Sequence, residues 1–132
     1  MNITYHSDRT PSIDEIIEVY RSSGLNRPIE DTARIAKMYE HSNFIVTAWF
    51  GDQLIGVARS LTDFCYCCYL SDLAVRKEYQ HQGIGKKLIQ VTKEKIGEQT
   101  MLLLLSAPTA MEYYPKVGME KVENGFIIKR TL

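Results

Sequence analysis

The residues with the most chemistry in them run together as Val75-Arg76-Lys77-Glu78-Tyr79-Gln80-His81-Gln82-Gly83-Ile84-Gly85-Lys86-Lys87. A β-rich run precedes this stretch and an amphipathic helical pattern follows it, so its second half opens a helix. A helix start gathers unpaired backbone N–H groups and the positive end of the helix dipole, and two glycines let the backbone close on a ligand without Cβ interference. An anion, a phosphate above all, suits that place. Two phosphate motifs nevertheless fail on these residues. A P-loop needs glycine where Gln80 stands and Ser or Thr where Lys87 stands, and the dinucleotide fingerprint G-x-G-x-x-G needs glycine where Leu88 stands.

The elements that must hold this loop are legible on either side of it. Residues 3–5 suggest a short strand. Ser12 with Glu15 three residues on forms a capping box, and Ile13, Ile16, Ile17 and Tyr20 carry one apolar stripe to a stop at Gly24. A second helix can start at Asp31. Residues 44–50 and 53–60 are β-rich runs joined by Gly51-Asp52, which predicts an antiparallel hairpin. Residues 64–75 predict a long central strand. A helix from Gly83 to Gly97 then leads to the apolar run 101–105, a strand expected to be covered on both faces, so 75–101 reads as a β-α-β crossover between parallel strands. Residues 110–116 suggest a short helix, and 119–122 with 126–129 a closing hairpin around Asn124-Gly125.

Gln80-x-x-Gly83-x-Gly85, preceded by Leu73-Ala74-Val75, resembles the coenzyme A loop of the GNAT family of N-acetyltransferases. The order of elements resembles that family across nearly the whole chain, and Ala110-Met111-Glu112-Tyr113-Tyr114-Pro115-Lys116-Val117-Gly118-Met119 resembles its A-x-x-F-Y-x-K-x-G-F segment. The resemblance implies an α/β (α+β) fold. Its mixed central sheet would have antiparallel N-terminal strands, a parallel pair splayed at the coenzyme A site and helices on both faces, as one domain over residues 1–132. It assigns cofactor binding to Leu73, Ala74 and Val75, whose backbone would pair with the pantetheine arm like an added strand. Gln80, His81, Gln82, Gly83, Ile84, Gly85, Lys86 and Lys87 would surround the phosphates, with Arg76 and Lys77 adding charge. Two positions depart from the pattern: Ala107 stands where the family often has Asn, and Lys77 where it often has Pro.

The activity implied is transfer of an acetyl group from acetyl-CoA to a primary amine by direct attack. An alkylamine with a pKa of about 10.4 is protonated at neutral pH, which costs roughly 4–5 kcal/mol, so a proton acceptor helps. Asp72, beside the pantetheine strand, is the first side-chain candidate and Glu112 the second. On the leaving side Tyr114 would lie near the sulfur, where proton donation from a phenol to a thiolate is uphill by only about 2 kcal/mol. Acceptor binding would fall to Asn26, Arg27 and Tyr69, behind an entrance made acidic by Asp14, Glu15, Glu18, Glu30 and Asp31. The runner-up reading is a coenzyme A binding or sensing module of the same fold without turnover.

Composition narrows the partners. Hydrophobic residues make up 45% of the 132, and 16 Lys and Arg balance 16 Asp and Glu, so neither disorder nor bulk capture of nucleic acid or anionic membrane is expected. No apolar run approaches the roughly 20 residues of a membrane span, and the polar start MNITYHSDR lacks a signal-peptide core. Cys65, Cys67 and Cys68 cannot form a disulfide framework, which suits a cytoplasmic protein, and Cys65 with Cys68 has no second pair at zinc spacing. No metal is expected, and homodimerisation is common among proteins of this kind.

Overall fold

The structure is a computed structural model and describes residues 2–132. Five strands form one sheet in the order β1-β2-β3-β4-β5: β1 (Ile3–His6), β2 (Phe44–Phe50), β3 (Gln53–Thr62), β4 (Cys67–Val75) and β5 (Met101–Leu103). The first three pairings are antiparallel and β4–β5 is parallel. Helices α1 (Ile13–Ser23) and α2 (Thr32–Glu40) sit among one set of buried residues, including Trp49, Leu54, Val57 and Ala74. Helix α3 (Ile84–Ile96) packs on the opposite face with Val46, Ile55, Ala58 and Leu70. Helix α4 (Tyr113–Lys116) is a single turn after a 3-10 turn at Pro108–Ala110.

Local chemistry sets most of the boundaries. Ser12 Oγ accepts from the Glu15 amide at 3.1 Å and Glu15 returns the bond to the Ser12 amide at 2.9 Å, so two of the orphan donors at the start of α1 are satisfied. Gly24 ends the helix at φ 80°, the left-handed conformation of a C-cap. Asp31 caps α2 through its side chain, and Gly51-Asp52 turns β2 into β3.

Two bulges decide which side chains face which core. On β3, Gly56 opposes Ala48 and Leu54 opposes Trp49, leaving Ile55 as the extra residue. On β4, Asp72 opposes Arg59 and Leu70 opposes Ser60, leaving Ser71 extra. A bulge breaks the period of two. Leu70 and Leu73 therefore both reach the α3 core while Ala74 turns to the α1 core. Gly56 also lets α3 sit close, since a Cβ there would stand 3.1 Å from Leu88 Cδ1.

Three sequence expectations are corrected. The central strand starts at Cys67 rather than residue 64, because Asp63 Oδ1 accepts from the amides of Cys65, Tyr66 and Cys67 and folds that segment into a turn. The C-terminal hairpin does not form: residues 119–132 contain no strand, and residues 120–132 enter no backbone hydrogen bond among the described residues. An isolated hairpin is marginal without a third strand against it. In consequence β5 is an edge strand of three residues, not one covered on both faces, and Met101 and Leu105 are 54% and 63% exposed.

Leu88 is fully buried where α3 meets the sheet, so Leu88→Ala should lower the unfolding free energy by about 2–5 kcal/mol in a urea titration.

Candidate functional site

The proposed phosphate loop begins where β4 leaves the sheet. The Arg76 amide still donates to Ile55 O at 2.8 Å, and a 3-10 turn at Lys77–Tyr79 then carries the chain outward. The Gln80 side-chain amide donates back to Val75 O at 2.9 Å, so this residue closes the loop rather than facing a ligand. His81 and Gly83 both take left-handed backbone, at φ 65° and 82°, and α3 starts immediately afterwards. The first amide of the helix to find a backbone acceptor is Lys87, bonded to Gly83 O at 3.0 Å, which leaves those of Ile84, Gly85 and Lys86 directed out of the helix start. Lys86 and Lys87 are exposed and form no ion pair among the described residues. Arg76 is different: it donates to Leu54 O at 2.7 Å and pairs with Glu18 at 3.3 Å, tying β4 to α1 instead of adding charge to the loop.

A gap opens beside this loop. β4 and β5 pair only from Cys67↔Met101 to Tyr69↔Leu103, so residues 70–75 of β4 run on without a β5 partner. The α4 tyrosines stand at the gap. Their rings meet edge to face with centroids 5.1 Å apart, and Tyr113 reaches the first turn of α3, where a Cβ on Gly85 would lie 2.7 Å from its Oη and 3.9 Å from Leu73 Cδ2. Tyr114 is half-buried. Burial, then the neighbouring Tyr113, pushes its phenol above the ordinary value, with Arg27 pulling the other way.

Asp72 is fully buried on the opposite face of β4. Its carboxylate accepts from Arg27 Nε at 2.6 Å, Arg59 Nε at 2.8 Å, the Tyr20 hydroxyl at 2.6 Å and Ser71 Oγ at 3.2 Å. Burial alone would raise its pKa, but hydrogen bonding and charge from Arg59, then Tyr20 and Arg27, hold it below the usual carboxylate range. A carboxylate so engaged is a poor proton acceptor, which removes the physical basis for Asp72 as general base. Tyr20 is pushed far above its normal range by burial first, then by Tyr39 and Asp72, so it stays a neutral donor. Arg27, expected at the acceptor, spends its other nitrogens on Asn26 O and Ser71 O, both at 2.7 Å, and so fastens the α1–α2 connection across the β4 bulge. Asn26 and Tyr69 are exposed.

Three of the acidic residues expected at the acceptor entrance are engaged locally. Glu15 and Asp31 serve as helix caps and Glu18 pairs with Arg76. Cys65 and Cys67 are exposed and Cys68 is buried, and no cluster of His, Cys, Asp or Glu able to hold a metal occurs among the described residues. No helix among them is long and apolar enough to cross a membrane.

A family model described as the acetyltransferase (GNAT) domain matches residues 17–129. The chain belongs to the GNAT acetyltransferases. Among solved structures, a Staphylococcus aureus protein of unknown function, named a probable acetyltransferase, superposes with a TM-score of 0.79 at 24% identity, over 98% of this chain and 100% of that one. A GNAT family protein from Streptococcus pneumoniae gives 0.69 at 23%, over 98% and 99%. An aminoglycoside acetyltransferase from an uncultured soil sample gives 0.69 at 23%, over 99% and 95%. No curated protein matches the sequence. At these identities the structures establish the fold, and the residue assignments of this GNAT chain rest on its own geometry.

Sequence reasoning missed Arg59, Tyr20 and Tyr39, the supports of Asp72. The available signal was an arginine inside the otherwise uncharged run 53–61.

Asp72→Asn should strand two guanidinium groups and cost about 3–5 kcal/mol at neutral pH. Because the folded pKa of Asp72 is depressed, its contribution is complete above the unfolded value of about 3.9 and disappears as pH falls through the folded value. The gap between wild type and variant, followed by denaturant titration, should therefore narrow below about pH 4. Gly85→Ala should displace the tip of the exposed Tyr113 side chain at little cost in stability, and a double-mutant cycle with Tyr113→Phe should show the two positions coupled.

Proposed function

We propose that this chain is an acetyl-CoA-dependent N-acetyltransferase acting on a primary amine in a ternary complex, with residues 1–132 as one catalytic unit. The observation that supports this most is the unpaired edge of β4, residues 70–75, running into a helix start whose first amides are unsatisfied, with Tyr114 beside it. An extended arm ending in phosphates has the shape of that channel: the strand edge offers ladder hydrogen bonds, and the α3 terminus offers N–H groups and dipole. Acetyl-CoA supplies the acetyl group as a thioester when bound.

Leu73, Ala74 and Val75 would hold the arm by backbone. The amides from His81 to Lys86 would hold the pyrophosphate, with Lys86 and Lys87 for the remaining charge. Gln80 acts indirectly by keeping the loop on Val75. Tyr114 keeps its proton at neutral pH and can give it, or a hydrogen bond, to the departing sulfur. With Asp72 committed, the amine proton passes to water or to Glu112, which makes no ion pair among the described residues. The Asp72 cluster helps in another way. It sets two guanidinium groups against one carboxylate, and that surplus positive charge disfavours an ammonium docked nearby and favours the neutral, nucleophilic amine. Asn26 and Tyr69 border the acceptor, and three free thiols fit a reducing cytoplasm.

Thiol release from acetyl-CoA, measured across a panel of polyamines, amino acids, N-terminal peptides and aminoglycosides, tests the reading; the last class is included because one fold neighbour is an aminoglycoside acetyltransferase. Tyr114→Phe should lower kcat by about 100-fold or more while thermal stabilisation by coenzyme A persists, as expected for loss of one positioned proton donor. Stabilisation by acetyl-CoA without thiol release from any amine would indicate a sensor, and no stabilisation would overturn the cofactor site itself.

A further inference from the structure

Arg27 carries more hydrogen-bonding capacity than the fold uses. Of the five N–H groups of a guanidinium, three are spent here: Nε on Asp72 at 2.6 Å, and one from each terminal nitrogen on Asn26 O and Ser71 O, both at 2.7 Å. The second N–H of each terminal nitrogen meets no acceptor among the described residues, and the side chain is 27% exposed. Arg59, the other guanidinium on Asp72, is closed in. It is 9% exposed, with Nε on Asp72 at 2.8 Å and its terminal nitrogens on Ser42 Oγ at 2.9 Å and Ser71 Oγ at 2.8 Å. Two positive groups thus share one carboxylate, and the charge left over reaches water chiefly through Arg27.

The place of that surplus gives it a use. Arg27 stands on the α1–α2 connection against the β4 bulge, and its charge is felt at the Tyr114 phenol, which it pulls toward lower pKa. The acids that would welcome a cation there are turned elsewhere: Glu15 and Asp31 cap helices, Glu18 pairs with Arg76, and Asp14 lies in the first turn of α1, whereas Arg27 follows its last. Glu30, exposed on the same connection, makes no ion pair with Arg27. We propose that the amine acetylated by this chain also carries a carboxylate, as an amino acid does, and that the two open N–H groups of Arg27 bind it. This acceptor class rests on the acetyltransferase reading above. Charge-assisted N–H bonds are the strong ones, and a guanidinium already fixed by three bonds loses little freedom in making two more. A polyamine or aminoglycoside brings several ammonium groups and no carboxylate, so it meets the same charge unfavourably. In the reaction the amine nitrogen bonds to the acetyl carbon as the C–S bond breaks. Tyr114 protonates the sulfur and regains a proton through water, which takes the one the amine loses, while the carboxylate stays on Arg27.

Thiol release from acetyl-CoA, as kcat/KM per neutral amine, is compared for a set of amino acids, the carboxamide of each, polyamines and aminoglycosides. The best amino acid should exceed its own carboxamide by about 10-fold or more, and exceed every amine without a carboxylate. Arg27→Gln should bring acid and carboxamide to near parity, a change of ratio that a general loss of structure, lowering both rates, does not produce. Because Arg27 also braces Asp72, a second measurement needs no variant: the same carboxylic acid without its amine should compete with the acceptor in wild type, and its amide should not. Equal rates for acid and carboxamide, faster turnover of a polyamine or aminoglycoside, no competition by the amine-free acid, or an unchanged ratio in folded Arg27→Gln would each overturn the carboxylate site and leave the transferase reading standing. Binding of acetyl-CoA without thiol release from any amine would overturn both.

Discussion

The Asp72 carboxylate is the point on which the site side of the molecule is hung. It is completely buried, and four groups from separate parts of the chain donate to it: Tyr20 on α1, Arg27 on the α1–α2 connection, Arg59 on β3 and Ser71 at the β4 bulge. Tyr39 on α2 joins through the Tyr20 hydroxyl. A charge taken out of water is tolerable only when partners surround it, so the arrangement is close to all-or-none. With it in place, the helices of the N-terminal half are fixed against the strand that carries the candidate site. The carboxylate's value lies in geometry, and that use is incompatible with repeated proton transfer.

The loop divides its work between backbone and side chains in a way its composition does not announce. The features that suit a phosphate are the left-handed turns at His81 and Gly83 and the unspent amides at the start of α3, all main-chain. Several polar side chains that looked like ligand contacts are internal fasteners: Gln80 to Val75 O, Arg76 to Leu54 O and Glu18. A loop that must present its own amides needs such ties, because backbone aimed at a ligand cannot also be held by ordinary ladder bonds.

What was legible in the sequence follows the range of the interaction. The capping box at Ser12 and Glu15, the stop at Gly24, the Gly51-Asp52 turn and the helix between Gly83 and Gly97 each depend on neighbours a few residues apart, and each stands where the pattern puts it. Three of the four partners of Asp72 lie 13, 45 and 52 residues away, and no local pattern connects them. The tail shows the converse. Asn124-Gly125 reads as a hairpin locally, but a strand exists only where something pairs with it. Asp63 also defeated a local reading, since residues 64–66 have β-forming types and one carboxylate oxygen gathers three consecutive amides into a turn.

The early parting of β4 from β5 carries a thermodynamic meaning as well as a spatial one. A sheet that stops its ladder at Tyr69↔Leu103 leaves residues 70–75 with hydrogen-bonding capacity that folding alone does not satisfy. Any guest that adds itself there completes the sheet, so occupancy and cohesion become one coupled equilibrium: the folded state gains stability in proportion to the logarithm of guest concentration over its dissociation constant. Such an edge is least cohesive when nothing completes it, and its resistance to local opening would track the supply of any guest that does.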